Sequence, residues 1–196
     1  MNKSIKLASI AAVLSLTSTG VLAETATFNA GVVVQNAFTF ESSADLDFGT
    51  IRATADTTNT DTATLVLAAN PATASTTGAA GTAAEIAILA AGAPASFSVS
   101  GVSPFATLTI DGTGISGDIS PVTAPAGTAV FTLSTPTYYV LTGATPNSAA
   151  TASIQVDSNG EATFNMGATL TTDGTTPTSD YIDGNYSGTF TLILDY

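Results

Sequence analysis

Tyr186-Ser187-Gly188-Thr189-Phe190-Thr191-Leu192-Ile193-Leu194-Asp195-Tyr196 decides the reading of this chain. Tyr186, Gly188, Phe190, Leu192, Leu194 and Tyr196 take every second position, with Ser187, Thr189, Thr191, Ile193 and Asp195 between them. Successive side chains of a β-strand point to opposite faces, so this alternation predicts one strand that covers a core on one side. A strand that reaches the last residue with an apolar, aromatic face needs a neighbour to pair with. Which chain supplies that neighbour is the question the rest of the sequence has to answer.

Working back from this stretch, residues 151–171 alternate in the same way. Ala152, Ile154 and Val156 lead to Ser158-Asn159-Gly160, and Ala162, Phe164, Met166, Ala168 and Leu170 lead away. Asn-Gly between two alternating runs predicts a β-hairpin. Shorter strands are predicted at 138–141, 129–134, 106–111, 96–102, 85–90, 64–69, 45–51 (Leu46 and Phe48 inward) and 37–40. Alanines at 83–91 suit a helix, but Ile86 and Ile88 at spacing two favour a strand. Residues 70–82 and 121–127, rich in Gly, Pro, Ala, Ser and Thr, read as loops. At the far end Ala26, Phe28, Ala30, Val32 and Val34 alternate with Thr25, Thr27, Asn29, Gly31, Val33 and Gln35, which predicts an N-terminal strand. Many short strands without a helical period predict an all-β antiparallel sandwich, one domain over residues 24–196.

Residues 1–23 read as a secretory signal peptide: Lys3 and Lys6, then an apolar run, then Val21-Leu22-Ala23 as the cleavage pattern. An exported product is expected. Its apolar run is too short to span a bilayer, and no later run is long enough, so no membrane insertion is expected. Beyond residue 23, Arg52 stands alone against all 15 acidic residues, a net charge of −14. One cation cannot neutralise a row of phosphates, which excludes nucleic acid as a partner. The chain has no cysteine, and at this length a core holds without covalent staples.

Chemistry is sparse. Without His, Cys or Trp anywhere, and without Lys after the signal peptide, nucleophile–base triads, thiol chemistry, Schiff bases and His/Cys zinc sites cannot be built. No cofactor and no enzyme activity are expected. Carboxylate pairs remain: Asp45 and Asp47, two apart on one face, have the chemistry of a glycosidase pair or of calcium ligands, against a solvated polar face as the preferred reading. Residues 111–118 and 157–161 carry oxygen ligands at calcium-loop density, yet Asp, Asn and Gly are what tight turns select, and turns are preferred. Asn185-Tyr186-Ser187 matches a glycosylation acceptor and is taken as coincidence in a strand. Tyr138, Tyr139 and Tyr181 suggest part of a sugar-stacking platform, with core or sheet-surface positions preferred.

Four stretches in order resemble a known group: residues 46–51 after the alternating N-terminus, 97–101, 167–170 and 184–196. With the signal peptide, the chain is similar to a domain-of-unknown-function family of secreted proteobacterial proteins close to the spore-coat-U and archaic chaperone-usher pilus subunits. The resemblance implies an immunoglobulin-like sandwich lacking its last strand. A periplasmic chaperone would cover the gap, an outer-membrane usher would export the subunit, and the N-terminal strand of the next copy would fill the gap in a cell-surface fibre. Ala26, Phe28, Ala30, Val32 and Val34 would then be donor residues. Tyr186, Gly188, Phe190, Leu192, Leu194 and Tyr196 would wall the acceptor groove. A monomeric secreted glycan-binding module or adhesin is the alternative.

Overall fold

Alternating runs this short, with Gly, Pro, Asn and Asp between them, leave the backbone only one way to satisfy its hydrogen bonds while burying a face, which is pairing into sheets. The computed structural model describes residues 25, 27, 29–32 and 37–196. Ala26, Phe28, Val34 and the signal peptide lie outside the described residues. Residues 35–196 form one unit, separate from residues 1–34, and among the described residues that unit is all-β and antiparallel.

Its first strand changes layers halfway. β1 (Thr39–Ala44) pairs with β6 (Ala95–Ser100), and β2 (Thr50–Thr54) pairs with β5 (Glu85–Ala90). Between them Asp47 and Ala93 exchange backbone hydrogen bonds at 3.0 and 2.8 Å. Gly49 has φ 79°, and a Cβ there would strike the backbone of Ala90–Gly92. The expected strand at 45–51 is thus a crossover, although Leu46 and Phe48 do point inward, half-buried.

The larger layer runs β1-β6-β12-β9-β8-β13, with β12 at Ala162–Thr171, β9 at Phe131–Thr142, β8 at Gly117–Pro121 and β13 at Tyr186–Ser187. β3 (Thr62–Leu67) extends it along the far half of β12, and β4 (Thr76–Ala80) lies outside β3. β10 (Ser148–Ala150) pairs with β9. The facing layer comes in two pieces: β2-β5, and a three-stranded piece of β11 (Ser153–Gln155), β7 (Thr107–Asp111) and β14 (Ile193–Asp195). One core, with Phe164, Leu108, Val140 and Val156 nearly sealed from solvent, joins the larger layer to the three-stranded piece. A second, around Leu65, Ile86, Phe131 and Leu170, joins it to β2-β5.

Three further expectations are corrected. The turn at Asn159-Gly160 forms, but β11 pairs with β7 and β12 with β9, β6 and β3, so it is an arch between layers rather than a hairpin. Inward residues alternate in the same way on both sides of an arch and of a hairpin, which is why the pattern did not separate them. β4 lies inside the expected 70–82 loop; fully exposed and built of Thr, Gly and Ala, it is held by backbone pairing and has no apolar face to betray it. The C-terminal stretch is two strands: β13 pairs with β8, β14 with β7, and residues 188–192 lie between without a ladder. Its facing survives, with Tyr186, Phe190 and Leu192 half-buried and Leu194 buried. The pairing breaks because the stretch passes from one layer to the other.

Candidate functional site

The two pieces of the facing layer do not meet. Beside the β2-β5 piece, between it and the segment that leads into β13 of the larger layer, runs a groove of about 650 Å³. One wall is the crossover and β2, from Leu46 to Ala53; the other is the segment 181–186; Ile119, Phe131 and Leu170 of the larger layer form the floor. β2 pairs only with β5, so its groove-side edge has no strand partner among the described residues. The half-buried Phe48 and Ile119 line this groove and pack against both cores, so its apolar surface is continuous with each of them. An open strand edge above an apolar floor is a template for another strand.

Aromatic rings stiffen the second wall. Tyr181 stacks on Phe131 with centroids 4.2 Å apart and rings 11° from parallel, and Tyr186 meets Phe131 edge-on at 5.2 Å. The Tyr181 hydroxyl donates to the Val130 carbonyl at 3.0 Å and accepts from the Asp173 N–H at 2.7 Å. Burial pushes this phenol well above its usual range. It therefore stays protonated and keeps both bonds. Burial likewise raises the Tyr186 hydroxyl, which exchanges bonds with Ile182. At one end the walls are tied together, because the Ala55 N–H just beyond β2 donates to Asp180 Oδ1 at 2.7 Å.

Of the six residues expected to wall a groove, Tyr186 lines this one. Gly188 is exposed and lies against Asp118 and the Phe190 ring. Phe190, Leu192 and Leu194 pack into the first core, and Tyr196 lies over Phe38. Of the expected donors, Ala30 and Val32 are described; both are exposed and outside any strand, Val32 at 83%. A lone strand has no partner for its backbone, so alternation without a neighbour gives no ladder. Tyr181, Phe131, Ile119 and Ile51 were not singled out as lining from the sequence, since a groove drawn from three distant stretches leaves no local pattern.

The other candidates resolve into turns and packing. Asp47 Oδ1 accepts from the Gly49 N–H at 2.7 Å and Asp45 is exposed. Arg52 pairs with Glu85 at 3.0 Å. Asp111 accepts from the Thr113 N–H, and Asp157 from the Glu161 and Asn159 N–H groups. These bonds hold both carboxyls below the usual carboxylate range. No group of three or more potential metal ligands converges among the described residues. Tyr138 is a core residue.

A family model described as Domain of unknown function (DUF4402) matches residues 38–196. The chain belongs to this family. The DUF4402 match begins at Phe38, one residue before β1, and so takes in both walls and the floor of the groove but not residues 25–35. No curated protein and no solved structure matches the chain.

Proposed function

We propose that this chain is a structural subunit of a bacterial surface fibre, in which residues 25–35 of one copy fill the groove of the next. The observation that carries the reading is the break between β2 and the 181–186 wall. It is a groove with an apolar floor beside an edge of β2 that pairs with no strand among the described residues. The strand of that wall, β2 at Thr50–Thr54, is about 17 Å long at strand rise, and the eleven residues from 25 to 35 span about 36 Å, enough to pair along it. Their alternation offers Ala26, Phe28, Ala30, Val32 and Val34 to one face. Burying these five contributes on the order of 6 to 9 kcal/mol as an upper estimate, before backbone pairing and ordering costs.

Electrostatics favours the same segment. Copies carrying −14 each repel one another, whereas residues 25–35 carry no charge. They are the part of the chain that approaches another copy at least cost. On this reading the signal peptide directs export, a periplasmic chaperone covers the groove until an outer-membrane usher delivers the subunit, and the fibre stands on the cell surface. The test is electron microscopy and size exclusion of the exported protein, with and without residues 25–35. The full chain should elute in the void volume as filaments and the deletion as a monomer. A full chain that is monomeric and binds glycans would replace the fibre with a secreted adhesin.

A further inference from the structure

A phenylalanine is held out into solvent in the turn that follows β6. Ser103-Pro104-Phe105-Ala106 is a turn in which the Ala106 N–H donates to the Ser103 carbonyl at 3.0 Å and Phe105 has φ 59°. Proline second and positive φ third is the type II pattern, which normally places Gly or Asn where Phe105 stands. A bulky side chain in that region is strained. Its residue is 57% exposed, so packing within the domain does not account for it. The turn is also fixed in place: the Phe105 N–H donates to the Asp157 carbonyl at 3.0 Å, and Gln155 Nε2 donates to the Phe105 carbonyl at 2.9 Å.

This turn stands beside the root of the N-terminal segment. The Ser103 N–H donates to the Tyr196 hydroxyl at 3.4 Å, and Tyr196 packs edge-on against Phe38 at 5.7 Å. Gly101 lies close to the backbone of Ala37 and Phe38. We infer that Phe105 is a contact between successive copies, an inference that rests on the fibre reading above. The tether identifies the occupant. With residues 25–35 in another copy's groove, only Asn36 and Ala37 separate Gln35 from Phe38, three Cα steps of about 3.8 Å. That copy must stand within about 11 Å of Phe38. A rigid aromatic at this position loses little conformational freedom on contact, which suits it to fix the angle between copies.

The chain has no cysteine, so Phe105→Cys in the full chain takes a single benzophenone maleimide. Ultraviolet irradiation of fibres, followed by complete denaturation, should give covalent multimers at least tenfold above those from Val66→Cys, an exposed β3 position labelled the same way. Deleting residues 25–35 from the labelled chain should abolish them. Fibres in normal yield, with no excess at position 105 over position 66, overturn the contact and leave the fibre standing. Multimers that survive the deletion also overturn it, because the contact would not depend on the tether. A wild-type chain that forms no fibres overturns the fibre reading and this contact with it. Unlabelled Phe105→Asn, which accepts the turn geometry, gives an independent readout: its fibres should release monomer about tenfold faster in denaturant, and release at the wild-type rate counts against the contact.

Discussion

If the proposed fibre forms, Val32→Asp isolates its joint between copies from the stability of the subunit. Val32 is 83% exposed and belongs to the unit outside residues 35–196, so the substitution leaves the β-domain's own packing untouched. Full burial of a valine contributes about 1.5–3 kcal/mol, and most of Val32's surface is still available to bury, so at least about 1.5 kcal/mol is lost. A carboxylate over a floor of Ile119, Phe131 and Leu170 adds a desolvation cost of similar size. Asp47 and Asp183 on the walls add repulsion, while Arg52 is already paired with Glu85. The total of about 3 kcal/mol is on the order of 100-fold in affinity, and among variants of one interface it falls mainly on dissociation. The assay is monomer release from fibres diluted into a fixed concentration of guanidinium. Asn29→Asp places the same charge on the opposite face and should change release less than about threefold, within the range of surface substitutions. Wild-type release by Val32→Asp, or an equal loss in Asn29→Asp, would refute the assignment of this face to the groove.

Other expectations concern the domain itself. Asp56 accepts from the Asn59 and Thr58 N–H groups and from the Thr58 hydroxyl, which holds its carboxyl down at about 2 against an ordinary 3.8. Its folded value is depressed, so its contribution is present above about pH 4 and is lost as pH falls from there through about 2; the guanidinium midpoint should be flat from neutral pH to about 4 and drop between about 4 and 2, and a midpoint independent of pH over that window would contradict the assignment. Gly49→Ala forces a Cβ at φ 79° into the Ala90–Gly92 backbone and should cost at least about 2 kcal/mol, a fall of about 4–8 °C in thermal midpoint. Arg52→Gln removes an ion pair whose side chains are 65% and 61% exposed and should change stability by less than about 1 kcal/mol; a larger loss in a urea melt would mean that Arg52 has a structural role beyond this pair.

Much of the fold was legible because burial enforces period two. β3, β5, β6, β7 and both segments within β9 stand where alternation placed them, and strand was the right choice over helix at residues 85–90. What alternation records is which side chains face inward, and that is all it records. It does not say which strand lies alongside. The Asn159-Gly160 turn therefore looked like a hairpin and is an arch, and residues 186–196 looked like one strand while pairing with β8 and then β7. β4 and β8 were missed for the converse reason: backbone pairing holds them, and the exposed β4 and half-exposed β8 bury too little to leave a pattern.

The groove sits at that boundary between facing and pairing. Residues 46–53 and 181–186 each carry inward apolar side chains, as the sequence suggested for Leu46, Phe48 and Tyr186, yet the two stretches belong to different sheet pieces. Their separation follows from the crossover at Gly49, which takes the chain from β6 to β5 and leaves the other edge of β2 open. Closing the gap from within would need a further strand between β2 and the 181–186 wall, and among the described residues every strand is already paired elsewhere. A segment that fills it must therefore bring its own alternation and an unpaired backbone. Residues 25–35 have the first in sequence, and their described members belong to no strand. That match between an unfilled edge and an unpaired alternating segment makes the fibre joint the reading to test first.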